Sequence, residues 1–264
     1  MTSKIYKGGK IYSVPLGDIE YIGYFYAKNG SEEIKSAKKR IEKLRGRAPD
    51  FLMNAELFDF NTRAPASDVV SSGVIMRLTE SYGFAFPENK TAVFSYKNNV
   101  GAADYIGAYP TLVREGKEEN TNPAGITGRR GRTALGLTDN ALLIALLPDS
   151  GGSTLSELRR AFVSNGAKSA INLDGGGSTQ FYAPLGNHFT GRRVRGFIGV
   201  WITGGDIRTV RVNTRLRIRK SPSLLSGRVG WLYNGDTVTV LEEKNLWCRM
   251  ATGWVSSRYL ARAK

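Results

Sequence analysis

The chain has few of the residues that most often carry metal or nucleophilic chemistry. Among 264 residues there is one cysteine, Cys248, and one histidine, His188. A single cysteine excludes an internal disulfide. Within the alternating stretch Leu246-Trp247-Cys248-Arg249-Met250 it reads as a buried structural residue. A single histidine excludes a multi-histidine metal site, and a Ser-His-Asp triad would have to use His188, which lies in a polar loop. Acidic residues are also scarce, 23 against 38 Lys and Arg, for a net charge of +15. No apolar run approaches the ~20 residues that cross a bilayer as a helix. The N-terminal MTSKIYKGGKIYSV is too polar for a secretory signal. Neither a Walker loop nor a dinucleotide fingerprint is present. The chemistry therefore falls to carboxylates, Arg, Lys, Tyr and hydroxyls.

What is present is organised around Ala170–Tyr182, AINLDGGGSTQFY. Ala170, Ile171 and Leu173 predict a buried strand, and Asp174 stands where it ends. Gly175, Gly176 and Gly177 permit a turn closely approached by a ligand, and successive amides in such a turn can form an anion-binding nest. Ser178, Thr179 and Gln180 add polar groups. A carboxylate beside an anion site makes sense if it acts on a neutral part of the ligand, such as a sugar, or is itself a proton donor. The structural alternative is a tight turn capped by Asp174.

Around this stretch the pattern is mostly strands. Residues 3–27 alternate around aromatics as two or three strands. A helix is predicted from Glu32 to about Leu44, with Ile34, Ala37, Ile41 and Leu44 on one face and Gly46 as its stop. Phe51–Met53 is a short buried strand running into Asn54-Ala55-Glu56-Leu57-Phe58-Asp59. Ser72–Met76 and Thr91–Tyr96 read as strands. Arg132–Leu137 and Ala141–Leu147 form a hairpin about Asp139-Asn140, and Asp149 follows it. A helix capped by Ser153 or Thr154 runs to about Ser164, and Phe197–Ile202 is the last strand before Gly204-Gly205-Asp206.

Three ordered segments, NAELFD, RTALG and NLDGGGSTQ, together resemble the phosphodiester glycosidase family over roughly residues 50–203. The resemblance implies hydrolysis of a bond between a sugar anomeric carbon and a phosphate, and an α+β fold: a mixed-sheet catalytic domain with a few helices over residues 1–205. It makes Asp174 a candidate catalytic carboxylate; Glu56, at the end of a buried strand, and Asp149, in the turn after the hairpin, are further candidates by position alone. It makes Asn54, Asp59, Arg132, Thr133, Asn172, Gly175, Gly176, Gly177, Ser178, Thr179 and Arg192 the candidate substrate contacts. Phosphate holding is expected from Arg132, Arg192 and the Gly175–Ser178 amides. Ala55 and Glu56 depart from the family's two glycines, and Glu56 has no counterpart there. No cofactor is implied. Two carboxylates could hold a divalent cation, but no spacing specifies one.

Residues 206–264 carry 12 basic against 4 acidic residues, a net +8. Short strands at close intervals, with Leu216-x-Ile218-Arg219-x-Ser221-Pro222 and Gly253-Trp254-Val255, are similar to a bacterial SH3 domain, a small all-β barrel. The resemblance implies binding to peptidoglycan or another wall component, and the Arg-rich first strand favours an anionic polymer such as teichoic acid. No specific nucleic-acid partner is expected, since no nucleic-acid module is legible. A wall-binding module without a signal peptide points to a protein that is cytoplasmic until released, extracellular after lysis or carried in a phage virion. The alternative function is a non-catalytic wall-binding phage or prophage structural protein.

Overall fold

The computed structural model describes residues 2–262 apart from 7–8, 28, 60, 63, 78–81, 87–92, 96–102, 185, 203–205 and 251. A seven-stranded sheet runs in the order Thr2–Tyr6, Gly9–Pro15, Ala141–Leu147, Arg132–Leu137, Ser169–Asn172, Thr111–Arg114, Lys117–Glu118. A four-stranded sheet runs Phe181–Tyr182, Phe51–Asn54, Gly196–Ile202, Ile19–Tyr26. One apolar core joins them: Leu135, Ile144 and Ile171 from the first sheet meet Phe51, Met53 and Ile198 from the second.

Both sheets are covered on their outer faces too. Leu143, Ala145 and Leu147 pack with Leu155, Leu158 and Phe162 of the helix Leu155–Ser164. Leu52, Phe197 and Trp201 pack with Ile34, Ala37 and Ile41 of the helix Ile34–Arg45. Every residue of Ala141–Leu147 is therefore buried, alternate side chains serving opposite layers. That is why the strand reads as an unbroken apolar run. The first helix ends at Gly46, in the left-handed region at φ 80°, as its position predicted. The second starts with a capping box between Thr154 and Glu157.

The few helices and the small C-terminal barrel are as expected, but the expected mixed sheet needs correction. The protein is mainly β, with two α-helices among the described residues. Every strand pairing among them is antiparallel. Parallel neighbours need long crossovers, usually helical, and this chain has little helix to make them from.

A further five-stranded sheet, ordered Val74–Arg77, Val69–Ser71, Asp104–Gly107, Gly83–Phe86, Val93–Ser95, adds Val69, Phe84 and Ile106 to the central core. The single strand expected at Ser72–Met76 is instead a hairpin: Ser72 and Gly73 both take positive φ, 50° and 77°, and turn the chain between two strands. The strand expected at Thr91–Tyr96 is seen over Val93–Ser95, its other residues lying outside the described ones.

The remaining strands, from Asp206 onward, form sheets of three and five around Val210, Leu216, Ile218, Leu232, Cys248 and Val255. Cys248 is buried, as its setting predicted. The Gly204-Gly205 break falls outside the described residues. Contact across it is specific. Asp50, just before the strand Phe51–Asn54, accepts from Ile202 N at 2.9 Å with one carboxylate oxygen and from Thr239 Oγ1 at 2.8 Å with the other. Leu241 packs against the central core.

Candidate active site

The two sheets are stitched together at one end by Asn54, which is fully buried. Its Nδ2 donates to the Asp174 carbonyl at 2.7 Å. Its Oδ1 accepts from Thr133 Oγ1 at 2.7 Å and from Gln180 N at 3.1 Å. Backbone bonds reinforce the junction: Asp174 N to Ala55 O at 2.9 Å and Leu173 N to Thr133 O at 2.9 Å. Strand ends from Asn54, Thr133 and Asp174 thus converge although they are far apart in the chain. Asn54 and Thr133, expected to touch substrate, instead hold the site together.

Two carboxyls sit at this junction. Asp174 is 5% exposed and Glu56 2%. Burial raises Asp174 to about 6, offset in part by the Ser178 hydroxyl, the Gly175 amide and the Arg192 charge. Burial raises Glu56 further, to about 8, and the Asp174 charge adds to the rise. The Tyr24 hydroxyl faces Glu56 closely enough to pull its pKa partly back, yet neither Glu56 oxygen reaches hydrogen-bond geometry with any group. Near neutral pH the pair therefore holds one ionised and one protonated carboxyl, the usual way that two acids acquire different roles.

Glu56 is wedged over Gly196. A Cβ built there would lie 2.4 Å from Glu56 Oε2 and 2.3 Å from the Tyr24 hydroxyl. Arg195 is the neighbouring cation; its guanidinium lies 4.9 Å from the Tyr26 ring centroid and its Nε is buried without a partner. Thr179 Oγ1, Gln180 Oε1 and Asn172 Oδ1 are buried and unpartnered as well. Such atoms are costly unless water or a ligand meets them, and here they gather around one junction.

At the glycine turn, Arg192 lies over Gly177, where a Cβ would come 2.8 Å from Nη2. Its Nη1 donates to Ser178 Oγ at 3.2 Å, and its carbonyl accepts from Gln180 Nε2 at 2.9 Å. Arg192 is exposed, so this cation can meet a ligand from solvent. Arg130 also reaches the turn, its Cδ 3.8 Å from a Cβ built on Gly176.

Several expected contacts are not where the sequence put them. Three of the four amides of the nest are taken: Gly175 N donates to Asp174 Oδ1, Gly176 N to Gly131 O and Ser178 N to Gly175 O. The turn folds on itself and leaves those three N–H groups nothing to offer a phosphate. Arg132 is buried, and its guanidinium donates to the carbonyls of Ser153, Ile126 and Gly128 at 3.1, 2.6 and 2.8 Å. It pins a loop. Burial, with Arg130 nearby, lowers it to about 10, so it remains charged at neutral pH. Asn172 Nδ2 donates to the carbonyls of Tyr109 and Leu173. Asp149 accepts from Gly131 N, beside Thr179, and Gly131 O in turn accepts from Gly176 N of the glycine turn. Asp59 is exposed and accepts from Asn61 N and from both Thr62 donors, which holds its pKa down. It shapes a turn.

Tyr24, Arg195 and Gly196 join the site without having stood out in the sequence, and Arg130 joins it from the strongly basic run Gly128–Arg132. Only the adjacency of Arg195 to the wholly buried strand Gly196–Ile202 signals one of the first three. Among the described residues no group of three or more His, Cys, Asp or Glu could hold a metal ion, and no helix is long and apolar enough to cross a membrane. A cleft of about 380 Å³, lined by Ile11, Leu147, Leu158 and Ala161 with Arg129 and Arg160, shares no residue with the carboxyl pair or the glycine turn.

Comparison with known proteins agrees with this arrangement of elements. Residues 50–201 match the phosphodiester glycosidase family and residues 214–261 the bacterial SH3 domain. The chain superposes on the zebrafish N-acetylglucosamine-1-phosphodiester alpha-N-acetylglucosaminidase catalytic domain, auto-inhibited by its pro-peptide. That match has a TM-score of 0.56 and 19% identity, over 73% of this chain and 76% of that one. A hypothetical protein from Synechocystis gives a TM-score of 0.54 at 14% identity, over 76% of this chain and 61% of that one. At these identities the likeness is one of fold. A search of curated proteins finds no match. The matched family segment takes in Asn54, Glu56, Thr133, Asp174 and Arg192, with Tyr24 of the junction outside it, and the chain belongs to the phosphodiester glycosidase family, with a bacterial SH3 domain after it.

Proposed function

We propose that the chain is a hydrolase that cleaves the bond between a sugar anomeric carbon and a phosphodiester, on a bacterial wall or surface polymer. The observation that carries the reading is the Asp174–Glu56 pair, two buried carboxyls whose pKa values burial raises, beside a glycine turn overlaid by Arg192. Water attacks the anomeric carbon. Its oxygen forms the new bond as the bond to phosphate oxygen breaks and that oxygen keeps the electron pair. Asp174 takes the proton of the attacking water. The departing phosphate is a stable anion and needs little acid help. Arg192, oriented by Ser178, balances its charge. Glu56, neutral, donates a hydrogen bond to the sugar instead of repelling the phosphate.

The test is turnover of a chromogenic sugar-1-phosphodiester. Asp174→Asn is expected to lose about 10²–10⁴-fold in kcat/KM with the fold intact. Near-normal turnover would remove Asp174 from the reaction. The closed amides of Gly175, Gly176 and Ser178 favour a second reading, a wall-binding protein without turnover. That reading predicts polymer binding and no hydrolysis of any sugar phosphodiester by the wild-type chain.

A further inference from the structure

Three arginines in the C-terminal domain converge on one indole. The strand Arg215–Arg219 buries Leu216 and Ile218 and turns Arg215 and Arg217 outward. It pairs with Arg228–Tyr233 in a register that sets Arg217 opposite Trp231 and Arg219 opposite Arg228. The guanidinium carbons of Arg215, Arg228 and Arg217 lie 3.9, 4.9 and 5.7 Å from the Trp231 ring centroid. Stacking on an aromatic ring restrains a guanidinium while leaving its N–H edges free to donate.

Among the described residues nothing acidic neutralises this face. Glu243 pairs with Arg208, Glu242 with Arg249, and the Asp236 carboxylate accepts from Tyr233 N at 2.7 Å. Among the described residues no carboxylate lies within ion-pair distance of Arg215, Arg217 or Arg228. The three guanidinium groups gather positive charge at one indole, where an approaching anion is attracted by all of them. A solvated basic surface would spread such charges apart, whereas here they are gathered.

We infer that the Arg215–Arg217–Arg228–Trp231 face binds a flexible chain of repeated phosphodiesters, the same polymer whose sugar phosphates the first domain cuts. The inference rests on that reading for the identity of the polymer, and on the arginine cluster for its charge. Alternate residues of a strand stand about 7 Å apart, so a chain lying along this one meets a guanidinium at each step. Two points of attachment raise the local concentration of cleavable bonds at the first domain. Single-stranded nucleic acid is the competing polyanion. Its binding sites leave aromatic rings bare for bases to stack on, and Trp231 is already occupied by arginines.

The experiment uses the full chain carrying Asp174→Asn, so that the polymer is not cut. Binding to a wall polymer of repeated N-acetylhexosamine 1-phosphate units is measured over a range of salt, with melting temperature as the check on folding. R215Q/R217Q/R228Q is expected to weaken binding at least tenfold and to reduce the log–log salt slope by about 2, or ~0.7 for each phosphate of a single strand that the protein no longer neutralises. Lysine at the three positions restores the slope but not the full affinity, because the stacked, forked geometry is gone. Undiminished binding by the folded glutamine variant overturns the proposal. So does tighter binding of single-stranded DNA of equal phosphate number. Arginine-dependent polymer binding in a wild-type chain that hydrolyses no sugar phosphodiester supports this surface while ending the catalytic reading.

Discussion

The Asn54 side chain donates to the carbonyl of Asp174, 2.7 Å away in space and 120 residues further along the chain. With Thr133 Oγ1 and Gln180 N donating to its oxygen, one amide fixes the ends of three segments. Asn54→Ala leaves Thr133 Oγ1, Gln180 N and the Asp174 carbonyl without this partner. At about 1–3 kcal/mol for each buried group left unmet, a loss on the order of 3 kcal/mol is expected in urea unfolding. Turnover should fall with it, since Asp174 is no longer held. A variant that unfolds at the wild-type urea midpoint would show that the clamp does not hold the sheets together.

The pH dependence follows from the carboxyl pair. The proposed reaction uses Asp174 ionised and Glu56 protonated, so kcat/KM should rise as pH passes about 6 and fall as it passes about 8. Glu56→Gln should abolish the alkaline limb and leave the acid limb in place. An unchanged alkaline limb in that variant would assign it to another group.

Stability should move with pH in a fixed direction. Both carboxyls have folded pKa values above the ordinary range, so folding retains protons that the unfolded chain has released. Their contribution is full below the ordinary carboxylate pKa and is lost as pH rises through about 6 for Asp174 and about 8 for Glu56. Glu56→Gln removes the larger part of this slope. Above about pH 9 it should be more stable than wild type by on the order of 3 kcal/mol in chemical denaturation. Parallel stability curves for the two proteins across that range would contradict the assignment.

Two glycines should fail in different ways when changed to alanine. At Gly196 the new Cβ meets the Tyr24 ring and the Glu56 carboxyl, packed inside a buried strand. The expected cost is about 1–3 kcal/mol of stability, the range for overpacking. At Gly177 it meets only the end of the Arg192 side chain, which can swing away. There the melting temperature should hold while KM rises, as Arg192 leaves Ser178. The opposite pattern would reverse the roles given to the two positions.

Arg132→Lys separates scaffold from site. Lysine cannot reach three carbonyls at once, so the variant should melt earlier by about 1–3 kcal/mol of lost hydrogen bonding, with KM for a small substrate little changed. Asp59→Ala, in an exposed turn, should leave turnover within about twofold. A large rise in KM for the arginine variant would return Arg132 to the phosphate.

Local pattern exposed much of this molecule. Ala141–Leu147 announced a strand covered on both faces, Gly46 stopped the first helix, and Thr154 with Glu157 started the second. The order of NAELFD, RTALG and NLDGGGSTQ marked the family. What escaped was decided by partners distant in sequence. The Gly176 amide is taken by Gly131 O, and the Arg132 guanidinium by carbonyls that no residue type near it advertises. Tyr24 and Gly196 look like ordinary strand residues until the sheet lays them against Glu56. The Ser72-Gly73 hairpin was hidden because its two arms are only three and four residues long.

Asp50 gives the molecule one last property. It is grasped by Ile202 from its own half and by Thr239 from the other, one oxygen each. Cutting the chain near residue 205 to ask what the tail is for would take the Thr239 hydroxyl from a carboxylate still held by Arg47 and Ile202, and uncover the core surface beneath Leu241. A shortened protein that lost activity would say nothing about wall attachment, because the injury would reach the strand that ends in Asn54. The two halves are not beads to be exchanged, and only changes confined to their surfaces can question them one at a time.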